Sequence, residues 1–258
     1  MLLTILLVFM PFHQSFLEEV TEETEEFSVP SHVLTIHQEN TFPNTSEDQE
    51  IIEPSAATEE LLSSLTTTIE NPRLIKLLNE TTIKPSPIGF GYRGMIYLGR
   101  WPLNYLSEST TMNWEYQELN INEMNNVGGS EALTMHYVQT EEKKIHGALT
   151  NKINQPDDVK NLLLLAAKQK TKLPLSYETV VGKNTKKDYT YNVPTKKQGY
   201  LKAHAPAVNE KGQMVFGEVY LELKGTKKAL VVKNVTKQGI GAWIPIQDHV
   251  SFSFQLKD

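Results

Sequence analysis

Two stretches near the C-terminus set apolar side chains on one parity and polar ones on the other, and few backbones accommodate that pattern. In residues 213–224, Val215, Val219, Leu221 and Leu223 share one parity, while Glu218, Glu222 and Lys224 share the other. In the final run Val250, Phe252, Phe254 and Leu256 alternate with Ser251, Ser253, Gln255 and Lys257. A period of two belongs to a strand with one face on a core and the other in water. The last quarter, Asn209 to Asp258, therefore reads as consecutive antiparallel strands, the spine of one β-rich body. Asn209-Glu210-Lys211-Gly212 has the form of a type I turn leading into that spine. Lys224-Gly225 turns the next corner, and residues 229–236 return.

Upstream, Ile88–Trp101 holds Phe90, Tyr92, Met95, Ile96, Tyr97 and Leu98 in a near-continuous apolar run, as expected of a central strand covered on both faces. Trp114–Asn122 and Glu131–Gln139 flank the turn-forming residues 125–129 and read as a hairpin; Leu175–Val181 and Asp188–Val193 read as another. Further strands are expected over Lys144–Leu149 and Gly199–Val208. Two helices carry clear end signals. Asn71 is a cap, Pro72 occupies the first helical position, and Leu74, Ile75, Leu77 and Leu78 form a stripe. Asp157–Lys170 begins with two aspartates and ends with Lys168 and Lys170, complementing the helix dipole. Thr58–Leu65 reads as a shorter helix. The expected fold is mainly β (α+β), an antiparallel β-sandwich or curved sheet with one or two packed helices.

Charge divides the chain. Residues 1–72 contain 14 of the 31 acidic side chains and none of the 25 basic ones, so an arm of −14 precedes a body of +8. Leu2–Met10 is apolar except for Thr4, and nine helical residues reach only about 14 Å, short of a bilayer core of roughly 30 Å. The run suits a secretory signal, an uncleaved anchor or a buried strand. The resulting division is a secretory signal or N-terminal anchor over 1–15, an acidic arm over 16–56 with an edge strand at 31–37, and a single β-rich globular domain over 57–258. With no cysteine, disulfides, thiolate metal sites and cysteine nucleophiles are excluded.

Chemistry-bearing motifs are sparse. Gly89-Phe90-Gly91-Tyr92-Arg93-Gly94 matches G-x-G-x-x-G but lacks the strand before and helix after that a dinucleotide site requires, so it reads as glycines permitting close packing. No G-x-S-x-G, S-x-x-K or H-E-x-x-H string is present. Asp248 beside His249 suggests a general base, and Glu178 with Asp188 a glycosidase-like pair across a hairpin; turn-entry and solvated carboxylates explain these residues equally well. Trp101, Tyr105, Trp114, Tyr116 and Trp243 read as core before a sugar-binding face. No catalytic, metal or cofactor-binding residue is assigned, and no cofactor is expected. Lysines gather at turns, and Lys183, Lys186, Lys187, Lys196, Lys197, Lys224, Lys227 and Lys228 form a candidate anion-binding rim. Without interleaved aromatics the clusters do not suggest nucleic acid.

The string Gly239-Ile240-Gly241-Ala242-Trp243-Ile244-Pro245-Ile246-Gln247-Asp248-His249-Val250 is the most distinctive, with Trp243, Asp248 and His249 as its candidate motif residues. Together with Ala205–Gly212, Val231–Thr236 and Asn113–Tyr116, it resembles the YfkD-like proteins of Bacillus and its relatives from about Val29 to the end. The resemblance implies an exported protein with an N-terminal signal and carries no catalytic residue. The expected function is that of an exported, non-enzymatic protein of a Gram-positive envelope, its basic body binding an anionic cell-wall polymer, a membrane surface or a protein partner. The alternative is an envelope hydrolase using acidic residues or the Asp248-His249 pair.

Overall fold

A computed structural model describes residues 27–44, 51–84 and 93–258. The apolar leader, the acidic run Glu18–Glu26 and the Gly89–Tyr92 part of the glycine string lie outside these residues. In chain order the elements are β1 (Val33–Thr35), α1 (Ala56–Ser63), α2 (Pro72–Asn79), β2 (Arg93–Asn125), β3 (Leu133–Val138), β4 (Lys143–His146), β5 (Ala148–Leu149), α3 (Pro156–Thr171), β6 (Glu178–Val181), β7 (Lys186–Val193), β8 (Gln198–Lys224), β9 (Lys227–Pro245) and β10 (His249–Lys257).

The spine is longer than the alternation suggests. β8 runs unbroken for 27 residues, about 90 Å of contour for an extended strand. Along one edge β2 pairs with it from Arg93 opposite Lys224 to Asn125 opposite Gln198. Along the other edge β9 covers residues 207–224 and β10 covers 198–204. β9 and β10 run in the same direction and are separated only by Ile246, Gln247 and Asp248, where Asp248 takes a left-handed φ of 53°. Three long antiparallel lines of chain thus make one ribbon. β1 extends it beside β10 and β5 beside β9, while β3 with β7 and β4 with β6 form two small separate sheets. The result is mainly antiparallel β with three helices, built on a single long sheet and not on two equal ones. Five register shifts in β2 supply the bends that a ribbon of this length needs.

Three cores follow one another along the ribbon. At the β8–β9 hairpin, Leu61, Leu74, Ile75 and Leu78 of α1 and α2 pack on Val219, Leu221, Leu223 and Leu230. In the middle, Val159, Leu162, Leu163 and Ala167 of α3 pack on Val208, Met214, Phe216, Ile240 and Ile244. At the other end, Met135, Tyr137, Ile145, Val181 and Val193 pack on Leu201, Ala203, Ala205, Val250 and Phe252. The β8 residues in the end cores are odd-numbered and those in the middle core even-numbered. Since successive strand side chains point to opposite faces, α3 covers the face opposite to the other two covers. The change is visible at adjacent positions. Phe216 enters the middle core, whereas a side chain at Gly217 would strike Leu103 and Val232 of the hairpin core.

Several sequence expectations need correcting. Asn209–Gly212 is not a turn but the interior of β8; Glu210 and Gly212 continue the even, buried parity set by Val208 and Met214. β2 is not a central strand covered on both faces. It pairs with β8 alone within its sheet, and Met95 and Tyr97 are exposed. Neither expected hairpin forms. Residues 117–125 pair with β8, β3 pairs with β7, and β6 pairs with β4. The helices match their end signals. Asn71 Oδ1 accepts from the amides of Arg73 and Leu74, and Asp158 in the first turn of α3 pairs with Arg73 at 3.2 Å.

Candidate functional site

The proposed acid–base residues are taken apart by the topology. Glu178 sits on β6 opposite His146 of β4, while Asp188 lies on β7 in the other small sheet. The hairpin that would bring the two carboxylates together does not exist. Asp248 and His249 also point to different partners. Asp248 Oδ1 accepts from Nδ2 of Asn44 at 2.9 Å and of Asn40 at 3.3 Å, and its Oδ2 lies 3.1 Å from His37 Nδ1. His249 Nδ1 lies 2.7 Å from the Gln247 carbonyl. The pair is part of a clasp. Residues 33–44 are fastened over the β9–β10 junction and onto β6, where the Val180 amide donates to Asn44 Oδ1 at 2.7 Å. Trp243 is half-buried and stacks on Tyr116 at 5.4 Å between centroids, and Tyr105, Trp114 and Trp101 likewise pack against the cores.

The eight rim lysines fall into two groups. Lys183, Lys186 and Lys187 lie around the β6–β7 turn and Lys196 and Lys197 precede β8, whereas Lys224, Lys227 and Lys228 surround its far end. Lys187 pairs with Glu39 at 2.7 Å and Lys197 with Asp258. The other six make no ion pair among the described residues. The full length of β8 separates the groups, so they are two basic ends and not one rim.

Two constellations escaped the sequence reading. The first is internal. Glu210 is 0% exposed. Its Oε1 accepts from Tyr105 Oη at 3.1 Å and Ser107 Oγ at 2.5 Å, and its Oε2 from Thr110 Oγ1 at 2.6 Å. A register shift between Ser107 and Ser109 loops out Glu108 and brings both hydroxyls to the same carboxylate. Burial, followed by the charge of Glu210, pushes the phenols of Tyr105 and Tyr177 well above their ordinary range. The signal in the sequence was the continued even parity through Glu210, masked by the turn-like string Asn-Glu-Lys-Gly. Three hydroxyls around a buried carboxylate fix the register of β2 on β8.

The second is open. Between the β8–β9 hairpin and α3, the even face of the ribbon has no cover among the described elements. The register places Arg93, Met95 and Tyr97 of β2 beside Glu218, Tyr220, Glu222 and Lys224 of β8, and beside Lys227, Val231 and Lys233 of β9. Tyr97 is 56% exposed and lies 5.1 Å from the Tyr220 ring, with the Lys233 ammonium 5.2 Å over the latter. Tyr220 Oη and Asn234 Nδ2 both donate to Glu218 Oε2, at 2.9 and 2.8 Å. These bonds, helped by Arg100 and Lys233, hold the Glu218 carboxyl below the usual carboxylate range. Towards α3 the face ends in a shallow hollow of about 270 Å³ lined by Arg100, Gln155, Phe216 and Thr236. The signal was Tyr220 itself, an aromatic among the wet-parity residues of the spine strand.

These features define a mainly-β protein built on one long antiparallel ribbon, with its polar chemistry divided between an internal carboxylate and an open cationic, aromatic face. The chain belongs to the YfkD-like protein family, whose model matches residues 30–258. It is 50% identical over 250 residues to the Uncharacterized protein YfkD of Bacillus subtilis (strain 168), an alignment taking in 97% of this chain and 95% of that one. No solved structure matches the chain.

Proposed function

We propose that this is an exported, non-enzymatic protein of a Gram-positive cell envelope whose basic body holds an anionic polymer. The observation that carries the reading is the charge at the two ends of the ribbon. Six of the eight turn lysines make no ion pair among the described residues, within a body of +8. Unneutralised cations grouped at surface turns raise the local concentration of a polyanion in a salt-dependent way. Export rests on the apolar run Leu2–Met10, whose length suits the hydrophobic part of a secretory signal. The hydrolase reading loses its residues, since Glu178 and Asp188 stand on different sheets and Asp248 is occupied by Asn40, Asn44 and His37. Cell fractionation and N-terminal sequencing of the protein in its natural host, with retention on its isolated cell wall at low salt, form the test. An extracytoplasmic protein beginning near residues 12–22 and eluted from the wall by salt is the expected result. A cytosolic protein starting at Met1, or one not retained at low salt, overturns it.

A further inference from the structure

The open face between the hairpin and α3 is more selective than a basic surface. Its two ends are cationic, with Arg93, Lys224 and Lys227 at the tip and Arg100 beside the hollow. From Arg93 to Arg100 is seven residues of strand, or about 20 Å. Between them lie Tyr97 and Tyr220, two rings in contact, flanked by the Met95 thioether, on which the Lys233 ammonium sits at 3.3 Å. The carboxylates Glu218 and Glu222 share this face.

The carboxylates decide the ligand chemistry. A dense polyanion such as polyphosphate meets Glu222 opposite Met95 and Glu218 opposite Arg100, two like charges that oppose it along the face. An apolar peptide makes no use of the polar Glu218–Tyr220–Asn234 group, whose members bond one another and keep further donor and acceptor capacity. A sugar polymer satisfies each part. Its rings present C–H faces to exposed tyrosines, its hydroxyls exchange hydrogen bonds with Glu218, Asn234 and Tyr220, and widely spaced acid groups reach the cationic ends. We infer that the open face around Tyr97, Tyr220 and Lys233 binds a hydroxyl-rich, sparsely anionic polysaccharide laid along the strands. This deepens the anionic-polymer reading above and rests on it.

The test uses the full chain on three immobilised probes, hyaluronan, dextran and polyphosphate, at low and moderate salt. Hyaluronan carries one carboxylate per disaccharide, dextran none, and polyphosphate a charge on every unit. The expected result is tightest binding to hyaluronan, weakened at least tenfold by Tyr97→Ala and largely kept by Tyr97→Phe. Polyphosphate retention is then weaker, salt-sensitive and indifferent to Tyr97. Tyr97 is more than half exposed, so the variant keeps the fold, and unchanged circular dichroism confirms this. If hyaluronan and polyphosphate bind alike and Tyr97→Ala changes neither, the inference fails while the anionic-polymer reading stands. If no anionic probe binds at low salt, both fail. Binding to anionic lipid vesicles in preference to all three probes also overturns the inference.

Discussion

Glu210 carries a charge-bearing side chain into the interior of a strand, and the structure answers with hydroxyls instead of a cation. Tyr105, Ser107 and Thr110 donate to its two oxygens, an arrangement that resembles a register pin more than a reactive centre. It also gives the molecule an alkaline limit. Burial, then the Glu210 charge and the hydrogen bond to it, raise the folded-state pKa of Tyr105 far above its ordinary 10.0. A group whose folded pKa is raised contributes stability that is complete below its unfolded pKa and lost as pH climbs above it. In that window the unfolded chain releases the phenol proton and the folded chain does not. The loss approaches about 1.4 kcal/mol per pH unit for this one phenol. Tyr105→Phe removes the titration together with one donor to Glu210, a cost near 1 kcal/mol. Urea midpoints should therefore show the variant less stable at pH 8, with the gap to the native protein closing by pH 11. A gap that stays constant across that range would mean that Tyr105 ionises alike in both states.

At the scale of elements, local chemistry was legible and pairing was not. Asn71 and Pro72 announced α2, and Asp157 with Lys168 and Lys170 announced α3, because caps and dipole partners are local properties. Strand partners are set by which surfaces meet. The turn residues 125–129 suggested that residues 114–122 and 131–139 pair, yet β8 occupies the ladder of β2 there. Side chains then join β2 to β3, with Asn120 and Asn122 donating to the Val138 carbonyl at 2.6 and 2.9 Å. The N-terminal segment uses the same device. Asn44 accepts from the Val180 amide and donates to the Val180 carbonyl at 2.8 Å, imitating a ladder rung, while it also reaches Asp248. Neither the rung nor the clasp leaves a periodicity in the sequence. Asn44→Ala strands the Val180 amide, while the Val180 carbonyl keeps Asn40 Nδ2 at 2.9 Å; the cost is about 1–3 kcal/mol, and that loss belongs to the clasp alone. Hydrogen exchange should accelerate at Val33–Thr35 and Glu178–Val181 and remain unchanged at residues 219–223 of β8. Equal acceleration throughout would show that the clasp is part of the global unfolding unit.

Across the whole molecule, three cores share one strand, and none is large enough to be independent. Each gathers only 10 to 14 buried apolar residues, and each takes part of its floor from β8. Losing the hairpin core frees β8 from β9 at residues 218–224, and the β8–β9 ladder shifts register between Phe216 and Glu218, but the pairing of β8 with β2 runs on from Val219 to Phe216 into the middle core. Phe216 and Gly217, adjacent on one backbone, serve different cores on opposite faces. Unfolding one core therefore withdraws support from its neighbour, which favours a single cooperative transition even though the apolar residues lie in three places. Leu201 is 0% exposed in one end core and Leu221 is 1% exposed in the other, with about 66 Å of strand contour between them. Leu201→Ala and Leu221→Ala should each cost about 2–5 kcal/mol. With no shared neighbours their effects should add, and both should displace one and the same transition. Trp101 reports from the hairpin core, while Trp114 and Trp243 lie in and beside the middle one, so tryptophan fluorescence and far-ultraviolet circular dichroism sample different parts of the ribbon. Coincident midpoints in both variants would establish the ribbon as the unit of folding. An early fluorescence step confined to Leu221→Ala would instead show that the hairpin end melts alone and that β8 joins cores that are energetically separate.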